Sequence, residues 1–486
     1  MTTLRTSADP VAAKADLVVV TVPASPGRLT GPAAALDAAL GGAVAAAVAD
    51  GVIDGAAGSS LLLHGGDAIA ATRAGVVGTG DGAPHEWEQA GRAAAGLADT
   101  AKATSLALVP AEDADALRVR ALVEGVGIAG RRFTRFKTGE AATPGGLKRL
   151  AVHSAAATRA DLARADRVVR AVNGARDLAD TPANHLTPSD LATYARELAS
   201  ATPGLSATVL GRRKLEELGA GGLLGVARGS AEAPKMIVLR YRPKAVARPG
   251  EVLGLVGKAV TFDTGGISIK PSGGMEEMKL DMGGGAAVLE ATGLIAALGL
   301  PVEVLTVIPA TENMPGGTAL KPGDVITAMN GTTIEVLNTD AEGRLILADG
   351  LAYAVREGAT RLIDMATLTG AIVVALGEVY AGLFGSDDDW TALVRDAGER
   401  SGDLAWPMPL HDRYRKLLDS SVADIANISN KRQAGAVLAA MFLKEFTAEV
   451  PWCHVDIAAT GMVDGAGTGF GVRLALAVAD RLAEPA

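Results

Sequence analysis

An α/β fold in two parts is what the sequence predicts, on three observations. Short apolar runs alternate with amphipathic or alanine-rich stretches along the whole chain, the 486 residues exceed one ordinary domain, and the alternation restarts after a long helical segment near residue 160. The expected architecture is a smaller N-terminal α/β domain over 1–155, a connecting helix and linker over 156–195, and a larger C-terminal α/β domain over 196–486. The larger domain is expected to hold a mostly parallel central sheet covered by helices on both faces.

The elements follow in order. LVVVTV (17–22) reads as a buried strand and the alanine-rich stretch 33–50 as helix. Apolar runs at 60–63 and 105–109 alternate with helical patterns at 86–98 and 113–124. Residues 160–180 form a long amphipathic helical pattern with Leu162, Val168, Val169 and Val172 as its apolar stripe. Thr187, Pro188 and Asp190 fit the start signals of a helix over 188–200. Strands are then expected at 206–210, 236–241, 252–257, 302–308, 333–337, 361–365 and 454–458. Helices are expected at 286–298, 345–356, 434–446 and 471–482.

Bulk properties exclude several classes of function. A net charge of −9 repels phosphate backbones, so nucleic acid is not an expected partner. Cys453 is the one cysteine, which leaves no intramolecular disulfide and no thiolate metal cluster. Asp9, Pro10 and Asp16 interrupt any signal-peptide core, and the longest candidate membrane run, 365–377, is too short to span a bilayer. A cytoplasmic protein with no membrane partner is the expectation.

Three segments at expected strand ends carry unusual polar residues: VGKAVTFDTGGISIK (256–270), MKLDMGGG (278–285) and NTDAEGRL (338–345). Lys258, Asp263 and Lys270 are expected in a glycine-rich loop after the strand 252–257. Asp281, and Asp340 with Glu342, each precede a helix, where an acid alone is also good capping. Together the four carboxylates say more. If they converge without counter-charge they repel, and two divalent cations would balance them. Oxygen-rich sites with bridging carboxylates suit Zn²⁺, Mn²⁺ or Mg²⁺. Lys258 beside two dications would lose its proton and ligate as an amine, whereas Lys270 and Arg344 would stay cationic and face a substrate. No HExxH pair, Gly-x-Ser-x-Gly elbow or Walker loop is present, and His454 is expected to be a core histidine.

At these segments the chain resembles the leucyl aminopeptidase family of cytosolic di-metal peptidases, peptidase family M17. NTDAEGRL is the family's signature octapeptide, intact at 338–345, and Lys258, Asp263, Lys270 and Asp281 match residue by residue. The resemblance covers roughly 165–486 well and the N-terminal region weakly. It implies a metal-dependent exopeptidase that releases N-terminal amino acids, leucine and other apolar residues foremost, by hydrolysis with metal-activated water. It implies two ions per subunit, Mn²⁺ or Zn²⁺: one on Lys258, Asp263, Asp281 and Glu342, the other on Asp263, Asp340 and Glu342. Lys270 and Arg344 are implied as the catalytic residues, with a bicarbonate on the arginine as general base. Met278, Thr367, Leu368 and Gly370 match the family's apolar substrate pocket. Gly285 departs from a more usual alanine. Peptide substrates and a homohexamer follow from the same resemblance. Two other readings stand beside it: a di-metal hydrolase of another substrate class, such as a phosphodiesterase, and a DNA-binding architectural protein.

Overall fold

The computed structural model describes residues 2–142, 146–431 and 433–484, and the chain divides into two compact units, 1–173 and 174–486. The division falls within the helix Arg159–Asp180.

The first unit is built on six strands in the order Thr2–Arg5, Arg149–His153, Ser105–Val109, Leu17–Val22, Arg73–Gly78 and Ser60–His64. All neighbours are parallel except the last pair. Leu17–Val22 lies inside this sheet and is buried along its whole length, which is why it reads as an unbroken apolar run rather than an alternation. The alanine-rich stretch expected as one helix is two, Gly31–Ala39 and Ala43–Ala49. Gly41 and Gly42 adopt positive φ between them and break the helical path.

The second unit carries the larger sheet, in the order Ala405–Pro407, Ala381–Gly385, Trp452–Asp456, Arg361–Ala366, Val252–Gly257, Glu303–Asn313, Lys235–Tyr241 and Leu205–Leu210. Its centre is parallel, and antiparallel pairings lie toward both edges. One face packs on the helices Gly343–Arg356 and Gly435–Lys444, through Leu345, Leu347, Val437 and Phe442 against Val256, Leu305 and Leu362. The helix Gly283–Leu298 covers the other face and is buried at every residue from Gly284 to Ala296. Burying each such Val, Leu or Ile side chain contributes roughly 1.5–3 kcal/mol. The helix Pro188–Ala201 starts as expected, with Thr187 and Asp190 closing a capping box.

Two further expectations need correction. Residues 259–263 are not loop: Ala259–Asp263 is a strand, paired parallel with the far half of Glu303–Asn313, so that strand runs past its expected end at 308. The run 365–377 is not one apolar segment but the end of the strand Arg361–Ala366 and the helix Gly370–Leu376. Among the described residues, Met275–Leu298 is long and apolar enough to cross a membrane, but 89% of its most apolar stretch is packed inside the protein.

Candidate metal centre

Each polar residue reaches the centre by its place on the sheet. Lys258 sits between the strands Val252–Gly257 and Ala259–Asp263, held by its N–H donating to the Met365 carbonyl at 3.1 Å. Asp263 ends the second of these strands. Asp281 follows the 3₁₀ turn Met275–Leu280, and Asp340 and Glu342 precede the helix Gly343–Arg356. At Gly343 an added Cβ would lie 2.8 Å from the Lys258 side chain, so the absence of a side chain there makes room for the lysine. At Gly265, φ is +86° and a Cβ would meet the Ser268 carbonyl oxygen at 2.5 Å, so this turn after Asp263 requires glycine twice over.

Three separate segments are thereby brought together. Lys258 Nζ lies 2.7 Å from Asp281 Oδ1 and 2.8 Å from Glu342 Oε1, and donates to the Thr367 carbonyl at 2.9 Å. Lys270 Nζ lies 2.8 Å from Asp263 Oδ2 and also pairs with Asp340 Oδ1. One carboxylate oxygen from each of Asp263, Asp340 and Glu342 falls within 4.8 Å of the others. Thr367 joins the cluster through its hydroxyl, which donates to Asp281 Oδ1 at 2.7 Å. Met278 stands half-buried in the turn before Asp281, Leu368 is half-buried, and Gly370 is exposed at the start of its helix. Arg344 is buried and donates through Nη1 to the Asn427 carbonyl at 2.7 Å.

Four carboxylates face two lysines, an excess of two negative charges in a largely buried space that opens to solvent at Lys270 and Asp340. Burial therefore drives the carboxyls of Asp281, Asp340 and Glu342 above their usual range, with the Asp263 charge pushing the same way. For Lys258, burial opposes the charged form, but Asp281, Glu342 and Asp263 outweigh it and hold the ammonium above an ordinary lysine. Lys270 is held up in the same manner, chiefly by Asp263 against burial. Burial pulls Arg344 down to about 10, resisted by Glu342 and Asp456, so it stays cationic at neutral pH. The lysines do not satisfy the acids fully. Asp281 Oδ2 is buried without a hydrogen-bond partner, and Asp340 Oδ1 and Glu342 Oε1 touch lysines without hydrogen-bond geometry.

Two residues at the centre have no local sequence signal. Asn313, at the tip of its strand, donates through Nδ2 to Asp263 Oδ1 at 2.8 Å and to the Thr339 carbonyl at 3.0 Å. Asn427 accepts from Leu337 N–H and donates to the Asn338 carbonyl, pinning the 338–342 turn. An asparagine at a strand end and the first of the two in ANISN look like ordinary turn residues. His454 is a buried core histidine as expected, with Nδ1 2.6 Å from Asp364 Oδ1. Gly285 also gains a reason: a Cβ there would lie 2.7 Å from that of Ala259.

Two family descriptions match the chain. One is the cytosol aminopeptidase family, catalytic domain, over residues 173–476, and the other is that family's N-terminal domain over 18–140. The chain belongs to the cytosol aminopeptidase family. It is accordingly a peptidase, a hydrolase of peptide bonds. A "Probable cytosol aminopeptidase" of Solibacter usitatus is 48% identical over 413 residues, covering 83% of this chain and 84% of that protein. One from Methylobacillus flagellatus is 44% identical over 427 residues, with 85% of each covered. Among solved structures, a tomato leucine aminopeptidase mutant superposes with a TM-score of 0.88 at 33% identity, covering 99% of this chain and 96% of that one. The bottromycin maturation enzyme BotP in complex with Mn gives 0.83 at 35% identity, covering 96% and 100%. The cytosol aminopeptidase fold of the relatives thus extends over both units of this chain.

Proposed function

We propose that this cytosol aminopeptidase is a metal-dependent exopeptidase that releases N-terminal amino acids, leucine and other apolar residues foremost. The observation that carries the reading is the convergence of four carboxylates, three of which, Asp281, Asp340 and Glu342, keep an oxygen without a hydrogen bond after two lysines have been used. Hard oxygen donors with one amine suit two divalent ions per subunit. Lys258, Asp263, Asp281 and Glu342 would hold one, and Asp263, Asp340 and Glu342 the other. The relative solved with Mn favours Mn²⁺ over Zn²⁺.

When bound, such a pair lowers the pKa of water and polarises a carbonyl oxygen. The chain's own residues do the remaining work. Asp263 keeps one orientation because Gly265 N–H and Asn313 Nδ2 both donate to its Oδ1 at 2.8 Å. Lys270, partly open to solvent and firmly protonated, is the donor for the oxyanion that develops on the scissile carbonyl. Arg344 keeps an unpartnered Nε–H and would hold a bicarbonate, which supplies a base. Met278, Thr367, Leu368 and Gly370 form the proposed pocket for the N-terminal side chain. A homohexamer working in the cytoplasm on peptide substrates completes the reading, supported by the family of the relatives.

Leucine anilide hydrolysis tests it. Chelation is expected to abolish turnover, and Mn²⁺ or Zn²⁺ to restore it. Turnover that survives exhaustive chelation, or a phosphodiester cleaved faster than the anilide, would overturn the proposal.

A further inference from the structure

Asp456 ends the strand Trp452–Asp456 and lies opposite Ala366 in the parallel register with Arg361–Ala366. Just beyond Ala366 the chain leaves the sheet as Thr367, Leu368 and Thr369, then enters the helix Gly370–Leu376. Asp456 is wholly buried and gathers this exit loop onto itself. Its Oδ1 accepts from the N–H groups of Leu368 at 3.2 Å, Thr369 at 3.4 Å and Ala458 at 3.2 Å. Its Oδ2 accepts from the Thr369 hydroxyl at 2.7 Å. The other side of the same loop faces the centre. There the Thr367 carbonyl accepts from Lys258 Nζ at 2.9 Å and the Thr367 hydroxyl donates to Asp281 Oδ1 at 2.7 Å.

We infer that Asp456 is a positioning residue that clamps the 367–369 loop, and through Thr367 fixes Lys258 and Asp281 in the arrangement that binds metal. The inference rests on the metal-centre reading above. Its physical basis is accounting of hydrogen bonds. Without the carboxylate, three backbone N–H groups and one hydroxyl beneath the loop lose their acceptor, and the loop must shift to find others. Any shift moves Thr367, which has both a carbonyl and a hydroxyl committed to proposed ligands. Asparagine at 456 keeps an acceptor oxygen for the N–H groups, and its amide can donate to the Thr369 hydroxyl. It should therefore restore most of what alanine removes. Asp349 supplies the contrast: it is equally buried and accepts from Leu223 and Met329 N–H at 2.8 Å each, but it ties elements away from the acid cluster.

The test is Mn²⁺ binding to the purified, chelator-stripped full chain, measured by isothermal titration alongside melting temperature. Asp456→Ala is expected to weaken the tighter Mn²⁺ site about 10- to 100-fold, as losses of partners behind metal ligands do. Asp456→Asn is expected to stay within a few-fold of wild type, and Asp349→Ala to lower the melting temperature with Mn²⁺ affinity unchanged. At saturating Mn²⁺, Asp456→Ala should raise KM for leucine anilide more than it lowers kcat. If Asp456→Ala does not fold, Thr369→Val is the readout, with an expected loss of about threefold in Mn²⁺ affinity. Wild-type affinity in whichever of these two variants is measured, or an equal loss in Asp349→Ala, would overturn the inference. A wild-type chain that binds no Mn²⁺ would instead remove the metal-centre reading, and this inference with it.

Discussion

Asp349 and Glu342 lie one beside the start and one within the same helix, Gly343–Arg356, and both are buried to 2% exposure or less. Asp349 spends both oxygens on backbone: Oδ2 accepts from Leu223 N–H and Oδ1 from Met329 N–H. Glu342 has a lysine beside Oε1 and no hydrogen bond to that atom. Burial costs both of them, but only one is given the partners that a purely architectural carboxylate needs. The difference teaches how to tell a structural acid from a ligand: ask which oxygens remain once the backbone has been counted.

Four experiments break or sharpen that comparison. Glu342→Ala and Asp340→Ala should each lower kcat/KM for leucine anilide at least about 10³-fold, with Mn²⁺ stoichiometry reduced by titration. Near-normal turnover in either would place these acids with Asp349 after all. Lys270→Ala should lower kcat roughly 10²- to 10³-fold while bound Mn²⁺ stays near wild type, since it is expected to donate and not to ligate. Loss of metal instead would move it among the ligands. Asp349→Ala should leave specific activity of the folded fraction intact and cost about 2–3 kcal/mol in urea unfolding, because two buried N–H donors lose their acceptor.

The smallest effect is in pH. Burial pushes the Asp349 carboxyl up to about 7, well above an ordinary aspartate, despite its backbone donors. A raised carboxyl pKa means the folded state holds a proton that the unfolded chain has released. Stability from this group is therefore complete below about 4 and falls as pH rises to about 7. In Asp349→Asn that slope should vanish, so the stability difference between variant and wild type should shift in the variant's favour across that window. A difference that stays flat with pH would show that the backbone donors hold Asp349 ionised throughout.

Much of the centre was legible from sequence because its residues lie in short, dense segments. KAVTFDTGGISIK and NTDAEGRL place charged residues beside glycines at strand ends, which composition alone makes conspicuous. The family resemblance then joined segments that periodicity could not. What stayed hidden acts singly and at long range. Asn313 stands 50 residues from Asp263 and 26 from Thr339, and Asn427 stands 83 or more from the groups it holds, with no pattern around either. The strand Ala259–Asp263 was masked by the glycines that follow it. The helix Asp388–Ser401 and the strand Ala381–Gly385 also escaped, although Asp387 caps the helix by accepting from Trp390 N–H. Their apolar positions are too few to stand out from a loop rich in aspartate and glycine.

The strand Glu303–Asn313 pairs with Val252–Gly257 along its first half and with Ala259–Asp263 along its second, and Asn313 is its last residue. Side chains alternate between faces along a strand, so adding or deleting one residue in the second half would turn Asn313 away while leaving the ladder free to re-pair. Asp263 would then lose its amide partner without any change in the composition of the site. This strand therefore acts as a ruler: its side chains can drift in sequence, but its count of residues cannot.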